Sequence, residues 1–244
     1  MTKRKPEGKF EFIKTIVIAG ILALGFRSLL FEPFNIPSGS MVPTLLVGDY
    51  LFVSKYSYGY SRYSFPFGLA PLDGRIFATT PERGDVAVFR QPRNESVAFI
   101  KRIVGLPGDR IQVVNGVLLI NDISVERDPK GFVTASDGYN VVKFALYQET
   151  MPNGKSYLTQ ERSDDDLFDN TNVFLVPDGH FFMMGDNRDN SRDSRTTSVG
   201  MVPAENLIGR AERLFFSHNN SANLWEVWKW PFAIRYGRLG DGIM

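Results

Sequence analysis

The apolar and charged residues divide the chain into one long apolar segment near the N-terminus and a larger part with short apolar runs. Residues 12–31 form the apolar segment, within which Thr15 to Phe26 runs without a charge. Lys14 and Arg27 lie at its margins, and four basic residues precede it, namely Lys3, Arg4, Lys5 and Lys9. An α-helix needs about 20 residues to cross a ~30 Å hydrocarbon core, so this segment is long enough to span a membrane.

Three interpretations of this segment compete. A cleaved secretory signal would explain the basic start, and Ala23-Leu24-Gly25 resembles a cleavage site. A buried core helix is also compatible with so short an uncharged run. We favour an uncleaved anchor, because the chain stays apolar after Gly25 and both marginal charges can reach the membrane interfaces. The basic residues before the anchor then keep the N-terminus cytoplasmic and place the chain from about Glu32 outside.

The remainder of the chain has the pattern of a mostly β protein. Short apolar runs alternate with turn residues, and no long helical periodicity and no internal repeat occur. The pair Asn115-Gly116 between two apolar runs predicts a two-residue hairpin turn. Residues 56–83 suggest an extended ribbon or loop, and the polar residues 122–172 suggest an elaboration on the core. The aromatic tail from Trp225 to Tyr236 suggests either a docked terminal segment or contact with a membrane interface.

Composition narrows the possible chemistry. The chain has 28 basic and 27 acidic residues, which argues against a nucleic-acid binder that relies on a broad basic field. It has no cysteine, so disulfides, thiolate metal sites and cysteine nucleophiles are excluded. Its only histidines, His180 and His218, cannot form a three-histidine zinc site, and a Ser-His-Asp triad would depend on one of them.

Three polar segments are candidates for function, although each has an ordinary structural interpretation. Residues 36–44 contain Ser38-Gly39-Ser40 between prolines, which alone is turn chemistry. Residues 99–109 place Lys101 in an apolar strand, where a lysine usually faces solvent. Residues 185–195 are rich in Asp and Asn, but they lack the glycine and distal glutamate of an EF-hand and include three arginines.

Together with the anchor and Arg83-Gly84-Asp85-Val86-Ala87-Val88-Phe89, these segments resemble the bacterial type I signal peptidase (leader peptidase) family. The matching motifs are SGSM-P-T, K-R-x-x-G-x-P-G-D and GDNRDNSxDSR, and all occur in the family's order. The resemblance implies a mainly β fold: a transmembrane helix, an antiparallel β-sheet catalytic domain and a smaller β-rich insertion. The expected boundaries are a basic tail 1–11, anchor 12–31, catalytic core 32–109 and 178–244, and insertion 110–177.

The resemblance also implies a serine-lysine dyad, with Ser40 as nucleophile and Lys101 as general base. A lysine serves as a base only when neutral, so we predict that Lys101 is buried in its apolar strand. The Ser38 hydroxyl and the Ser40 backbone N–H would form the oxyanion hole, and Ser191 would hydrogen-bond the lysine. The supporting ion pairs would come from Arg102, Asp186, Asp193 and Arg195.

The implied activity is the removal of signal peptides from secreted preproteins after small residues at positions −1 and −3. Such a peptide would bind as an added strand. The expected pocket walls are Phe34, Ile36, Pro37, Met41 and Ile100. We expect membrane lipid as a further partner, and no cofactor, metal or nucleic acid. The expected location is the bacterial inner membrane, with a single span and an extracytoplasmic catalytic domain. Two alternatives are a self-cleaving repressor-type serine-lysine peptidase and a non-catalytic, membrane-anchored β binding module.

Overall fold

The N-terminal apolar segment forms one long helix. The computed structural model describes residues 9–68, 70–136, 141–219, 221–222 and 225–244. Within these ranges, helix α1 covers Lys9–Leu29, and its stretch Phe10–Leu29 is long and apolar enough to cross a membrane. Nearly all of its large apolar side chains are exposed, unlike those of a core helix. The first eight residues, which include most of the expected basic tail, lie outside the described residues.

The rest of the described chain is mainly antiparallel β-structure, as predicted, with a short C-terminal helix, α2 (Trp230–Ala233). The strands are β1 (Phe31–Asn35), β2 (Asp49–Ser54), β3 (Val86–Gln91), β4 (Asn94–Gly105), β5 (Arg110–Val114), β6 (Val117–Ile120), β7 (Ile123–Ser124), β8 (Glu126–Ser136), β9 (Val141–Thr150), β10 (Ser156–Glu161), β11 (Phe174–Leu175), β12 (His180–Met184), β13 (Val202–Pro203) and β14 (Leu207–Ser217).

The strands form three sheets. The largest has the order β1-β2-β14-β3-β4-β12-β13, and the others have the orders β10-β9-β8 and β11-β5-β6-β7. All strands of the two smaller sheets lie within residues 110–177, the segment expected to be an insertion. Its core is continuous with the large sheet, because Val104 and Phe182 of β4 and β12 share a hydrophobic cluster with Ile111 and Val113 of β5.

Two local predictions can be compared with the structure. The Asn115-Gly116 hairpin is confirmed: Val114 pairs with Val117, and both turn residues have positive φ values, of 50° and 74°. The helix, however, ends at Leu29 rather than at Phe31. Phe31 instead begins β1 opposite Ser54, because its ring packs against the rings of the aromatic residues Phe52 and Tyr56.

The sheet order positions the candidate motifs. β1 and β4 are separated in the sheet by β2, β14 and β3, yet the short 3-10 turn Gly39–Met41 that follows β1 contacts β4. The sheet therefore curls until the chain after β1 reaches β4. The loop after β12 approaches the same turn, because the backbone N–H of Asn187 donates to the carbonyl of Ser40 at 3.1 Å. The fold thus brings all three candidate segments to one place.

Candidate active site

Ser40 and Lys101 are in direct contact. Ser40 lies in the 3-10 turn after β1, and Lys101 lies on β4. Nζ of Lys101 donates a hydrogen bond to Oγ of Ser40 at 2.5 Å and another to the carbonyl of Ile100 at 2.9 Å. Only 8% of Ser40 and 4% of Lys101 are exposed, so the prediction that this lysine is buried is confirmed. A hydroxyl and an amine in this arrangement can exchange a proton.

The surroundings of Lys101 favour its neutral form. Burial lowers the pKa of its ammonium group from 10.5 to about 8. The carboxylates of Asp193 and Asp186 raise this pKa, and the Arg195 guanidinium lowers it, but both effects are smaller than that of burial. The side chain also lies 5.5 Å from the centre of the Phe99 ring. An appreciable fraction of Lys101 is therefore neutral near physiological pH.

The expected hydrogen bond between Ser191 and Lys101 is not present in the structure. Both hydrogen bonds that Nζ donates go elsewhere, to Ser40 and to the Ile100 carbonyl. Ser191 is nevertheless buried at the site, and within the described chain its Oγ has no hydrogen bond of normal geometry. A Cβ atom at Gly185 would collide with the Ser191 side chain and the Ser40 carbonyl. Ser191 therefore lies close to Ser40 because residue 185 has no side chain.

Two buried ion pairs fix the segments around the dyad. Arg102 donates to Asp186 from Nε at 2.8 Å and from Nη2 at 2.7 Å, and both side chains are 1% exposed. Arg195 donates to Asp193 at 3.0 and 2.9 Å. The Asp186 carboxylate also accepts from the hydroxyl of Thr44, which ties the serine-bearing segment to the loop after β12.

Burial by itself would raise the pKa of the Asp193 carboxyl, but the neighbouring Arg195 outweighs this effect and lowers it. The hydrogen bond that the Gly185 N–H donates to this carboxylate acts in the same direction. The Gly185 N–H donates at 3.0 Å. Asp193 is therefore ionised, and its charge compensates that of Arg195.

The site is also supported by residues that were not among the candidates from the sequence. The side-chain amide of Asn187 donates to the Gly39 carbonyl at 2.9 Å and so fixes the turn that carries Ser40. Arg188 is fully buried and pairs with Glu149, which also accepts from the Tyr157 hydroxyl at 2.8 Å. Asn187 and Arg188 lie within the motif at 185–195, but nothing in the sequence around Glu149 identifies it as the partner of Arg188.

A groove of about 710 Å³ lies over the dyad. Both Ser38 and Ser40 line it, together with Lys101 and four of the expected pocket residues, Phe34, Ile36, Pro37 and Ile100. Met41, the fifth, does not line it. Its side chain is 0% exposed and belongs to the hydrophobic core with Leu45 and Val86, because the 3-10 turn directs it inwards.

Neither histidine lines this groove. Among the described residues, no group of three or more His, Asp or Glu side chains has the spacing of a metal site.

The fold and the site together are those of a serine hydrolase whose candidate base is a lysine, carried by an antiparallel β domain behind an apolar N-terminal helix. Residues 9–216 match the family described as signal peptidase, peptidase S26. The chain belongs to this family. It is a membrane-anchored serine peptidase that cleaves signal peptides.

Relatives and a solved structure carry the same description. A signal peptidase I from Rickettsia typhi (strain ATCC VR-144 / Wilmington) is 47% identical over 88% of this chain and 83% of its own length. Another from Rickettsia akari (strain Hartford) is 46% identical over 84% of this chain and 78% of its own length. A crystal structure of a signal peptidase I from Enterococcus faecalis V583 is 26% identical, with a TM-score of 0.32, over 54% of this chain and 97% of that one.

Proposed function

We propose that Ser40 is the nucleophile and Lys101 the general base of signal peptide cleavage. The observation that carries this proposal is the 2.5 Å contact between Nζ and Oγ at a buried lysine whose pKa is about 8. Neutral Lys101 removes the proton from Oγ as Oγ attacks the scissile carbonyl. It then delivers that proton to the departing amine, which leaves an ester on Ser40. A water molecule, deprotonated by Lys101 in turn, hydrolyses the ester and releases the signal peptide.

The developing negative charge on the carbonyl oxygen needs hydrogen-bond donors at the same place. We assign this role to the Ser38 hydroxyl and the Ser40 backbone N–H, since both residues line the groove beside the nucleophile. Ser191 is assigned a positioning role, because it is buried against the Ser40 segment. The ion pairs Arg102–Asp186 and Asp193–Arg195 hold the two loops and do not react.

The apolar part of the groove supports recognition of small residues at positions −1 and −3. Phe34, Ile36 and Ile100 line the groove together with Ser40. An extended peptide places alternate side chains on the same face, so residues −1 and −3 point into this apolar part together. The substrates are secreted preproteins, and the reaction as assigned uses only side chains and backbone groups of this chain, with neither cofactor, metal nor nucleic acid.

Exposed aromatic residues support contact with membrane lipid. The rings of Phe31, Phe52 and Phe215 form a row, with centroids 6.2 and 4.4 Å apart, which begins two residues after α1 ends. In the C-terminal tail, Trp225 and Phe232 are each 83% exposed. Aromatic side chains favour the membrane–water interface, so we expect these residues to contact the bilayer that α1 crosses. The active site then lies near membrane-bound preproteins.

The dyad is tested by incubating the full-length protein in detergent with a preprotein and following release of the mature chain. Ser40→Ala and Lys101→Ala should each lower the rate at least about a thousandfold. The matched controls Ser124→Ala and Lys130→Ala change exposed residues of the insertion and should cleave at the normal rate. If either dyad variant retained the normal rate, the assignment would be wrong.

We further propose a single span in the bacterial inner membrane, with the N-terminus cytoplasmic and the catalytic domain outside. Protease added to spheroplasts should digest the domain from about residue 32 onwards. Protection of this domain in spheroplasts, with digestion only after lysis, would overturn the orientation without affecting the dyad.

A further inference from the structure

The groove over the dyad has two chemically different halves. Residues that precede Ser40 and Lys101 in the chain form an apolar half, which includes Phe34, Ile36 and Phe99. The other half is formed by residues of the loop after β12 and of the insertion, namely Phe168, Asp189, Asn190, Ser191, Arg192 and Thr196. The apolar half fits small apolar side chains, which leaves the polar half without an assigned ligand.

The direction of proton transfer indicates which part of the substrate meets the polar half. Lys101 has to deliver its proton to the amine that leaves, so the residues after the cut pass on the lysine side of Ser40. Ser191 packs against the Ser40 carbonyl next to Gly185, and it lines the polar half together with Arg192. If residues −1 and −3 occupy the apolar half, the first residues of the mature protein lie in the polar half.

Arg192 supplies the free charge of this half. Its neighbours Arg188 and Arg195 are buried against Glu149 and Asp193. Arg192 is exposed, and in the part of the chain that the structure describes it forms no ion pair and no hydrogen bond. The nearby Asp189 is oriented towards the insertion, since its Oδ2 accepts from the backbone N–H groups of residues 162 and 163. Its Oδ1 is buried and, among the described residues, has no hydrogen-bond partner.

The insertion contributes one aromatic residue, Phe168, to the polar half of the groove. Asp189 ties the loop at residues 162–169 to the loop after β12 through its hydrogen bond from the Arg162 N–H at 2.6 Å. The centre of the Phe168 ring lies 5.4 Å from the Arg195 guanidinium carbon. The loop that carries Phe168 is therefore held against the loop after β12 by two contacts, one from Asp189 to the Arg162 N–H and one between Arg195 and the Phe168 ring.

On the basis of the proposed function, we propose that Arg192 and Phe168 bind the first residues of the mature protein and select among preproteins. Arg192 favours an acidic side chain within the first two positions after the cut. Phe168 favours an apolar side chain over a polar one at the same positions. The insertion thus takes part in substrate selection, in addition to the residues around positions −1 and −3.

The charge preference is tested with three preproteins that differ only in the first two residues after the cut, which are Glu-Glu, Gln-Gln or Lys-Lys. The wild-type kcat/KM should fall in that order, by about two- to fivefold at each step. This factor corresponds to the interaction free energy of a partly exposed ion pair. Arg192→Glu should reverse the order, and Arg110→Glu, a matched exposed arginine outside the groove, should preserve it. Raising the salt concentration should reduce the ratios in the wild type.

An unchanged order in Arg192→Glu, or no charge preference in the wild type, would overturn this inference. Such results would still include Ser40-dependent cleavage of all three substrates. Failure of the proposed function would instead appear as the absence of Ser40-dependent cleavage of any of them, so the two failures are distinguishable.

The apolar preference is tested with a fourth substrate, which carries Leu-Leu after the cut. The quantity compared is kcat/KM for the Leu-Leu substrate divided by kcat/KM for the Gln-Gln substrate. Phe168→Ala should lower this ratio about fourfold, which corresponds to the free energy of burying about one methylene group. Leu167→Ala removes the adjacent side chain, which is 77% exposed and outside the groove, and should leave the ratio unchanged. Equal ratios in the wild type and Phe168→Ala would contradict the assignment of Phe168.

Discussion

The pH dependence of cleavage follows from the burial of Lys101. The active form of the base is the neutral amine, so the rate should rise with pH as the ammonium loses its proton. Burial places the pKa of this group at about 8, compared with 10.5 for an unperturbed lysine. The difference corresponds to a net destabilisation of the ammonium form by about 3 kcal/mol in the folded protein, since desolvation outweighs the attraction of Asp193 and Asp186.

The expected size of the effect can be calculated from this pKa. About one lysine in ten is neutral at about pH 7, half are neutral at about pH 8, and about nine in ten at about pH 9. The value of kcat/KM should therefore rise about tenfold from about pH 7 to 9 and then level off. An unperturbed lysine would give a rise of about a hundredfold over the same range, with no plateau.

The assay is the initial rate of preprotein cleavage at substrate concentrations well below KM, measured at closely spaced pH values in detergent. Because kcat/KM reports the ionisation of the free enzyme, its midpoint gives the pKa of the free base. Circular dichroism at each pH serves as the control for unfolding. A midpoint above about 10, or a rate that falls as pH rises from about 7 to 8, would refute the role of burial.

Three further predictions concern the packing around the dyad. Lys101→Met should raise the free energy of unfolding by about 1–3 kcal/mol at about pH 7, because it removes a buried charge. This gain should shrink between about pH 8 and 10.5, since the wild-type lysine then loses its charge in the unfolded state as well as in the folded state. Thermal unfolding at several pH values measures both effects, and no gain at neutral pH would contradict the desolvation of Lys101. Gly185→Ala should lower kcat strongly by displacing Ser191 and the Ser40 carbonyl, while the same change at Gly237, which has open space, should not. Glu149→Gln leaves Arg188 buried without a counter-charge and should cost about 3–5 kcal/mol in urea unfolding; a loss below about 1 kcal/mol would mean that the pair is hydrated.

The elements with a strong local pattern could be predicted from the sequence. The apolar run near the N-terminus forms α1, and the short apolar runs form β2, β3, β5 and β12 of the sheets. For the long ribbon of β8 and β9, the sequence indicates only a polar elaboration on the core. Most of its side chains are exposed or half-buried on both faces, so the alternation of apolar and polar residues that marks a strand is weak there.

The candidate site was accessible from the sequence mainly through its motifs. Spacing alone does not bring Ser40 to Lys101, because their contact depends on the curl of a sheet in which three strands separate β1 from β4. Met41 was expected in a pocket wall only because it follows Ser40 in the sequence. It lies in the core instead, since the sequence does not show which side of a 3-10 turn a side chain occupies. The Arg188–Glu149 pair joins residues 39 apart on different elements, a contact that only the packed structure reveals.

The most direct test of the proposed dyad is to identify the atom that is acylated during turnover. The protein is mixed with a signal-peptide-like activated ester, quenched in acid and analysed by peptide mass spectrometry. We expect an acyl group on the peptide that contains Ser40, formed at a rate that rises through about pH 8, and we expect its loss in Lys101→Met. Acylation at another residue, or normal acylation of Ser40 without Lys101, would contradict the proposed dyad.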